Sequence, residues 1–173
     1  NSIDAGAKHV TIIRGKERGA SYLRVVDDGA GLPQDAQGLP SFRYVATHIC
    51  DSIKRQLKAL GATGLQGEFG IGLLSFWVLG EELTLTCAGA DGQSYQMRLR
   101  KGESRYTVSQ KRTLLTQRGT ELMVRPLLAG VRSLSGERLQ WYLAAELRDR
   151  IRSSGVKIQI IDLLGREVSA SYI

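Results

Sequence analysis

Four short clusters in this sequence carry residue types that can hold a metal, a base or a phosphate. The first is Asn1-Ser2-Ile3-Asp4-Ala5-Gly6-Ala7. Asn1 and Asp4 stand three apart, so a helical turn brings both to one side. An Asn carbonyl oxygen is a hard, neutral ligand that suits Mg²⁺, and Asp4 could order a metal-bound water or hold nearby backbone. Plain helix caps use the same residues. The second cluster is Val25-Val26-Asp27-Asp28-Gly29-Ala30-Gly31. Ionised Asp27 only accepts hydrogen bonds, so it can take the exocyclic amine of a base. Gly29 and Gly31 let backbone approach a flat ring. An ordinary Asp-Gly turn would read the same way.

The third cluster is Gly67-Glu68-Phe69-Gly70-Ile71-Gly72, running into an apolar stretch. Backbone N–H groups at a helix start attract phosphate, and glycine removes the side chains that would block it. It is neither a dinucleotide fingerprint after a strand nor a P-loop, since no Gly-Lys-Ser/Thr follows. A purely structural glycine turn stays open as the alternative. The fourth cluster is Arg118-Gly119-Thr120 at the entry to a strand. The Thr120 hydroxyl both donates and accepts, so it can complete contacts to a base through water.

These clusters need elements to hold them. Residues 1–6 read as the end of a helix whose start is missing. Residues 9–14 and 22–26 read as strands around a turn at 16–19, with Leu23 and Val25 on one face. Residues 27–38 are loop-like. The spacing of Phe42, Val45, Ile49, Ile53, Leu57 and Leu60 predicts a helix over 41–60, then an exposed glycine loop over 62–72. Residues 73–79 read as a buried helix. Strands follow at 83–88, 95–100, 105–109 and 121–125, the first two joined by a hairpin at Asp91-Gly92. A last helix spans 135–152, with Leu139, Leu143, Leu147 and Ile151 stepping by four. Residues 156–161 close as a strand with Val156, Ile158 and Ile160 inward. Strands in runs with grouped helices predict one α+β domain over residues 1–173, a two-layer sandwich with helices on one face of a mixed, mostly antiparallel sheet.

Composition agrees with a folded domain. The 173 residues are 42% hydrophobic and 24% charged, which excludes disordered and fibrous classes. No apolar run reaches the ~18–20 residues that span a bilayer. No secretory signal pattern opens the chain, and its start at Asn1 instead of Met is expected of a fragment. Net charge is +7, which attracts nucleotides or nucleic acid. The basic residues are spread along the chain, so a solvated basic surface explains them first. Cys50 and Cys87 lie far apart without metal-ligand spacing, which argues against zinc and fits a reducing cytoplasm.

The order of the four clusters is what gives them meaning together. Asn-x-x-Asp-Ala, then Asp-x-Gly-x-Gly after a strand, then Gly-x-x-Gly-x-Gly, then Gly-Thr in a later strand resembles the GHKL ATPase superfamily. That group joins gyrase B subunits, the ninety-kilodalton heat-shock chaperone, histidine kinases and MutL. The motif skeleton runs from Asn1 to Thr120. Asn1 to Ala7 is most similar to MutL, and Gly67 to Gly72 to the chaperone. The resemblance implies a Bergerat fold that binds ATP with Mg²⁺. Asn1 would coordinate the metal, with Asp4 beside it. Asp27 would bind the adenine amine, and Gly29 and Gly31 would shape the pocket. Residues 33–67 would form a lid, and Gly67, Gly70, Ile71 and Gly72 its hinge and phosphate cradle. Thr120 would sit near adenine, and Lys8 falls where the chaperone carries a nucleotide-contacting lysine. The general-base glutamate of such ATPases lies just upstream of the matching Asn, so no catalytic residue is assigned; Glu68 as a replacement is a guess.

The resemblance also implies partners. Nucleotide would close the lid and drive homodimerisation or domain docking. A non-hydrolysing ATP sensor and a basic DNA-binding module are the alternatives. His9 and His48 read as ordinary histidines, Trp77, Trp141 and Tyr142 as core, and Arg98 to Lys101 as a solvated strand end.

Overall fold

The computed structural model describes residues 1–45, 75–103, 105–111, 118–132, 134–165 and 169–173. The first two strands, β1 (His9–Glu17) and β2 (Ala20–Asp27), meet in a two-residue turn. Arg18 and Gly19 there have φ of 49° and 82°. Two left-handed residues are what a tight hairpin needs to follow the strands' twist. Next come β3 (Gly80–Ala88) and β4 (Ser94–Arg100), joined through the expected Asp91-Gly92 turn, then β5 (Tyr106–Lys111) and β6 (Thr120–Leu127). Three helices follow: α1 (Ala129–Arg132), α2 (Gly136–Glu146) and α3 (Arg148–Ser154). The last strands are β7 (Lys157–Asp162) and β8 (Ser169–Tyr172).

All eight strands form one sheet in the order β5-β4-β3-β6-β2-β1-β7-β8. Neighbours run antiparallel except β1 and β7, which are parallel. The expected mixed, mostly antiparallel sheet with helices on one face is therefore what forms. Alternation along each strand sorts the side chains. Val10, Ile12, Ile158 and Ile160 face Leu139, Leu143, Leu147 and Ile151 of the helices. Leu83, Leu85, Met97, Leu99 and Val124 build a second cluster with Phe42 and Phe76. The other face carries charge, paired as Arg24 with Glu121 at 2.8 Å and Arg100 with Glu82 at 3.3 Å.

Several expectations need correction. The helix over 135–152 is two helices, because Leu147 leaves helical backbone at φ −107°, ψ 10°. Steps of four overshoot a helix's period, so the stripe drifts by about 40° per step. A break at Leu147 keeps Ile151 on the core that a straight helix would turn it away from. Trp141 and Tyr142 are not core: they are 78% and 59% exposed. Trp141 lies about 200° around the helix from Leu139, which faces the sheet. The end of the buried helix over 73–79 is a short 3-10 turn, Ser75–Val78, with Val78 exposed. It gives way at Gly80, where a Cβ would meet Val124 Cγ1 at 2.6 Å and Pro126 O at 2.7 Å. The strands at 83–88 and 121–125 run further, and β8 had no counterpart.

Of the helix over 41–60, residues 42–45 are described and are helical. The rest of it, the loop over 62–72 and Cys50 and His48 lie outside the described residues. Residues 33–41 form a hydrogen-bonded loop tied to the β3–β4 turn by Ala90 N–H donating to Gly38 O at 2.8 Å. Among the described residues, no helix is long and apolar enough to cross a membrane.

Candidate functional site

Asp27 is the last residue of β2, and register fixes its neighbours. It stands opposite Val10 of β1 and Thr120 of β6. Directly opposed residues share a face, so its carboxyl lies on the helix-covered side. It is buried, at 9% exposure. Ser2 Oγ donates to Asp27 Oδ2 at 2.7 Å, and Thr120 Oγ1 donates to the same oxygen at 2.8 Å. Gly29 N–H donates to Oδ1 at 3.0 Å. A carboxylate offers about four acceptor positions. Three are occupied here, which leaves Oδ1 with room for one more donor. That free position is what an exocyclic amine requires.

Thr120 reaches Asp27 because of the glycine before it. Gly119 has φ of 126°, and a Cβ there would stand 1.9 Å from Asp27 O. No other residue lets β6 enter the sheet this close to β2. Gly31, at φ of 80°, turns the loop after Asp27 back toward β3; its Cβ position lies 3.0 Å from Cys87 Sγ. Gly29 sits as tightly, with Ala5 Cβ and Ala5 O each 3.0 Å from its Cβ position.

The first cluster closes the site from the other side. Ala5 N–H donates to Asn1 O at 2.8 Å, Gly6 N–H to Ile3 O at 3.0 Å and Ala7 N–H to Ser2 O at 3.0 Å. With Gly6 at φ of 72°, this is the hydrogen-bond pattern of a helix C-terminus. The turn holds Ser2 against Asp27 and packs Ala5 on Gly29. The Asn1 side chain is exposed at its start. Asp4 is paired with Arg150 of α3 and does not join Asp27. Lys8 also points elsewhere, its Nζ donating to Ser154 O at 3.4 Å.

Asp28 does a different task from Asp27. Its Oδ1 accepts the N–H groups of Lys8 and His9 at 2.7 and 2.9 Å, and its Oδ2 meets His9 Nδ1 at 2.8 Å. These bonds, the His9 N–H first, lower its pKa to about 2. Asp28 thus locks the loop after β2 onto the start of β1. An open cavity of about 180 Å³ adjoins the site, lined by Asp27, Asp28 and Thr120 together with Thr11, Val26 and Glu121. Thr11, Val26 and Glu121 oppose one another on the uncovered face of the sheet, so the cavity opens on that face and still touches Asp27 and Thr120 at the strand ends.

Asp27, Gly29, Gly31 and Thr120 therefore fall in one region; Asn1 starts the turn that brings Ser2 to them, and Asp4 is drawn off by Arg150. Gly67, Gly70, Ile71 and Gly72, with Glu68, lie outside the described residues. Sequence reasoning missed Ser2 and Cys87. Ser2 had a signal: it sits in the same turn as Asn1. Cys87 had one in its position opposite Thr120, which only the strand register reveals.

Among the described residues, no cluster of three or more His, Cys, Asp or Glu residues could hold a metal ion. The Asn1 carbonyl suits Mg²⁺ in its chemistry, since hard oxygen ligands and waters are what that ion takes.

A family model described as "Histidine kinase-, DNA gyrase B-, and HSP90-like ATPase" matches residues 1–123. Three DNA mismatch repair proteins MutL are similar over shorter stretches. Those of Thermodesulfovibrio yellowstonii and Chlorobaculum parvum are each 37% identical over 68 residues, 39% of this chain. That of Brucella anthropi is 36% identical over 64 residues, 37% of this chain. The matched stretches cover 12%, 10% and 10% of those proteins.

Proposed function

This chain belongs to the histidine kinase-, DNA gyrase B- and HSP90-like ATPases, and within that family we propose that it binds ATP with Mg²⁺ at the Asp27 site and hydrolyses the ATP in the intact protein. The observation that carries the reading is the acceptor position left open on Asp27 Oδ1. Ser2, Thr120 and Gly29 fill the other three. They fix the carboxylate's orientation. Adenine's amine would be the fourth donor, and the Gly29 and Gly31 backbone would line the base. Asn1 would hold Mg²⁺, which screens the phosphate charge and helps to orient the phosphates. Gly67, Gly70 and Gly72 would cradle those phosphates, and residues 33–67 would close over them as a lid. Family membership supports hydrolysis; no residue is assigned as its base. Lid closure would drive dimerisation or docking of a neighbouring domain in the cytoplasm.

Calorimetry with ATP and Mg²⁺ tests the binding. The wild-type chain is expected to bind, and Asp27→Asn to abolish it. An Asn side chain must point an NH₂ group either at the Ser2 and Thr120 donors or at Gly29 N–H and the base. Absence of any binding to the wild-type chain would refute the reading. Phosphate release by the full-length protein tests hydrolysis separately.

A further inference from the structure

Cys87 completes the row that Asp27 and Thr120 begin. The registers Asp27↔Thr120 and Thr120↔Cys87 place the three side by side on the helix-covered face. Cys87 is 3% exposed. Its Sγ accepts the Leu32 N–H at 3.3 Å and donates toward Ala88 O at 3.6 Å. The same sulfur stands against Gly31, 3.0 Å from where a Cβ would be. The loop after Asp27 is therefore fastened twice. Asp27 itself holds Gly29 at one end, and the thiol holds Leu32 at the other.

We infer that Cys87 is a positioning residue of the nucleotide site: its sulfur holds Gly31 and Leu32 against β3 and so sets the shape of the pocket beside Asp27. Burial raises the pKa of this thiol, so it stays neutral and acts as an acceptor and a wall, not a nucleophile. A thiol sulfur is a weak acceptor. It ties the loop less firmly than a carbonyl would, yet without it a half-buried amide loses its partner. A larger or branched side chain would press on Gly31, against which the sulfur already stands. This role rests on the ATP reading given above.

The test compares Cys87→Val, which loses the acceptor and adds a branch, and Cys87→Ala, which loses the acceptor and adds none, with Cys87→Ser, which keeps an acceptor. Two quantities are measured on the 173-residue chain: hydrogen exchange at the Leu32 amide, and affinity for ATP with Mg²⁺. Cys87→Val and Cys87→Ala are expected to speed Leu32 exchange and to weaken ATP binding by roughly three- to tenfold, the order for a part-buried donor that loses its partner. Cys87→Ser is expected to stay near wild type in both. If Cys87→Val does not fold, Cys87→Ala decides alone. Unchanged Leu32 exchange in the variants that lack the acceptor overturns the inference. Equal loss of affinity in Cys87→Ser and Cys87→Val overturns it as well. A wild-type chain that binds no ATP removes the nucleotide role, while Leu32 exchange still reports whether the thiol holds the loop.

Discussion

Thr120 donates its hydroxyl to Asp27 at 2.8 Å although 93 residues separate the two in the chain. The bond exists because β6 lies beside β2 in a register that opposes them. Ser2 donates to the same oxygen, so Oδ2 takes two side-chain donors while Oδ1 accepts the Gly29 N–H and would have room for a ligand's donor. Orientation of the carboxylate is thus a property of the sheet.

Removing the Thr120 hydroxyl should loosen that orientation. Thr120→Val keeps the shape and deletes the donor; Thr120→Ser keeps the donor. The valine variant is expected to bind ATP about tenfold more weakly, the serine variant within about twofold of wild type. Calorimetry on both variants decides, and equal affinities would remove Thr120 from the site.

Gly119 should tolerate no side chain. An alanine Cβ would stand 1.9 Å from Asp27 O, at a φ of 126°. Gly119→Ala is expected to cost at least about 3 kcal/mol, from strain and overpacking together. Gly92 is the control, with φ of 75° and nothing within 4 Å of its Cβ position. Gly92→Ala should cost only about 1–2 kcal/mol. Urea unfolding of the pair separates steric closure from backbone strain.

Asp162 anchors the far end of the helical layer. It pairs with Arg14 at 2.9 Å and caps α2 through Gly136 N–H at 2.7 Å. Burial works against its charge, but the Gly136 and Leu164 N–H groups and Arg14 outweigh it, and its pKa is lowered. A lowered carboxyl stabilises the fold above the unfolded value of about 3.9, and that stability is lost as pH falls through the folded value. Asp28 behaves alike, with its pKa at about 2, though at 44% side-chain exposure solvent screens much of its contribution. Asp162→Ala removes the carboxylate that meets the part-buried Arg14 and caps Gly136 N–H, at a cost of about 3 kcal/mol. Acid titration of unfolding should therefore show a shallower loss of stability below pH 4 in Asp162→Ala than in wild type.

Much of this was legible because glycine and charge have few reasons to fall where they do. The Asp27 loop and Gly119-Thr120 announce a strand end and a strand start, and the sheet brings them together. Ser2 was hidden because surface hydroxyls are common and only the turn aims this one. Cys87 was hidden because a thiol was weighed only as a metal ligand. The strand β8 was hidden because Ser169–Tyr172 is short and lacks an apolar alternation. Asp4 was legible as a site residue by spacing, but Arg150 comes from α3, far along the chain, and claims it. The helix phase from Leu139 already places Trp141 outward; its size alone made it look like core.

Trp141 gives the clearest check on that phase. At 78% exposure its ring contributes little burial. Trp141→Ser should change unfolding free energy by no more than about 0.5 kcal/mol, as for most surface substitutions. Leu143, two residues on, packs on the core beside Ile158, and Leu143→Ala should cost about 2 kcal/mol or more. Fluorescence adds an independent reading: the difference spectrum between wild type and Trp141→Phe should be the red-shifted emission of a water-exposed indole, readily quenched by iodide. A blue-shifted, protected difference spectrum, or a loss from Trp141→Ser as large as that from Leu143→Ala, would mean that α2 turns a different face to the sheet.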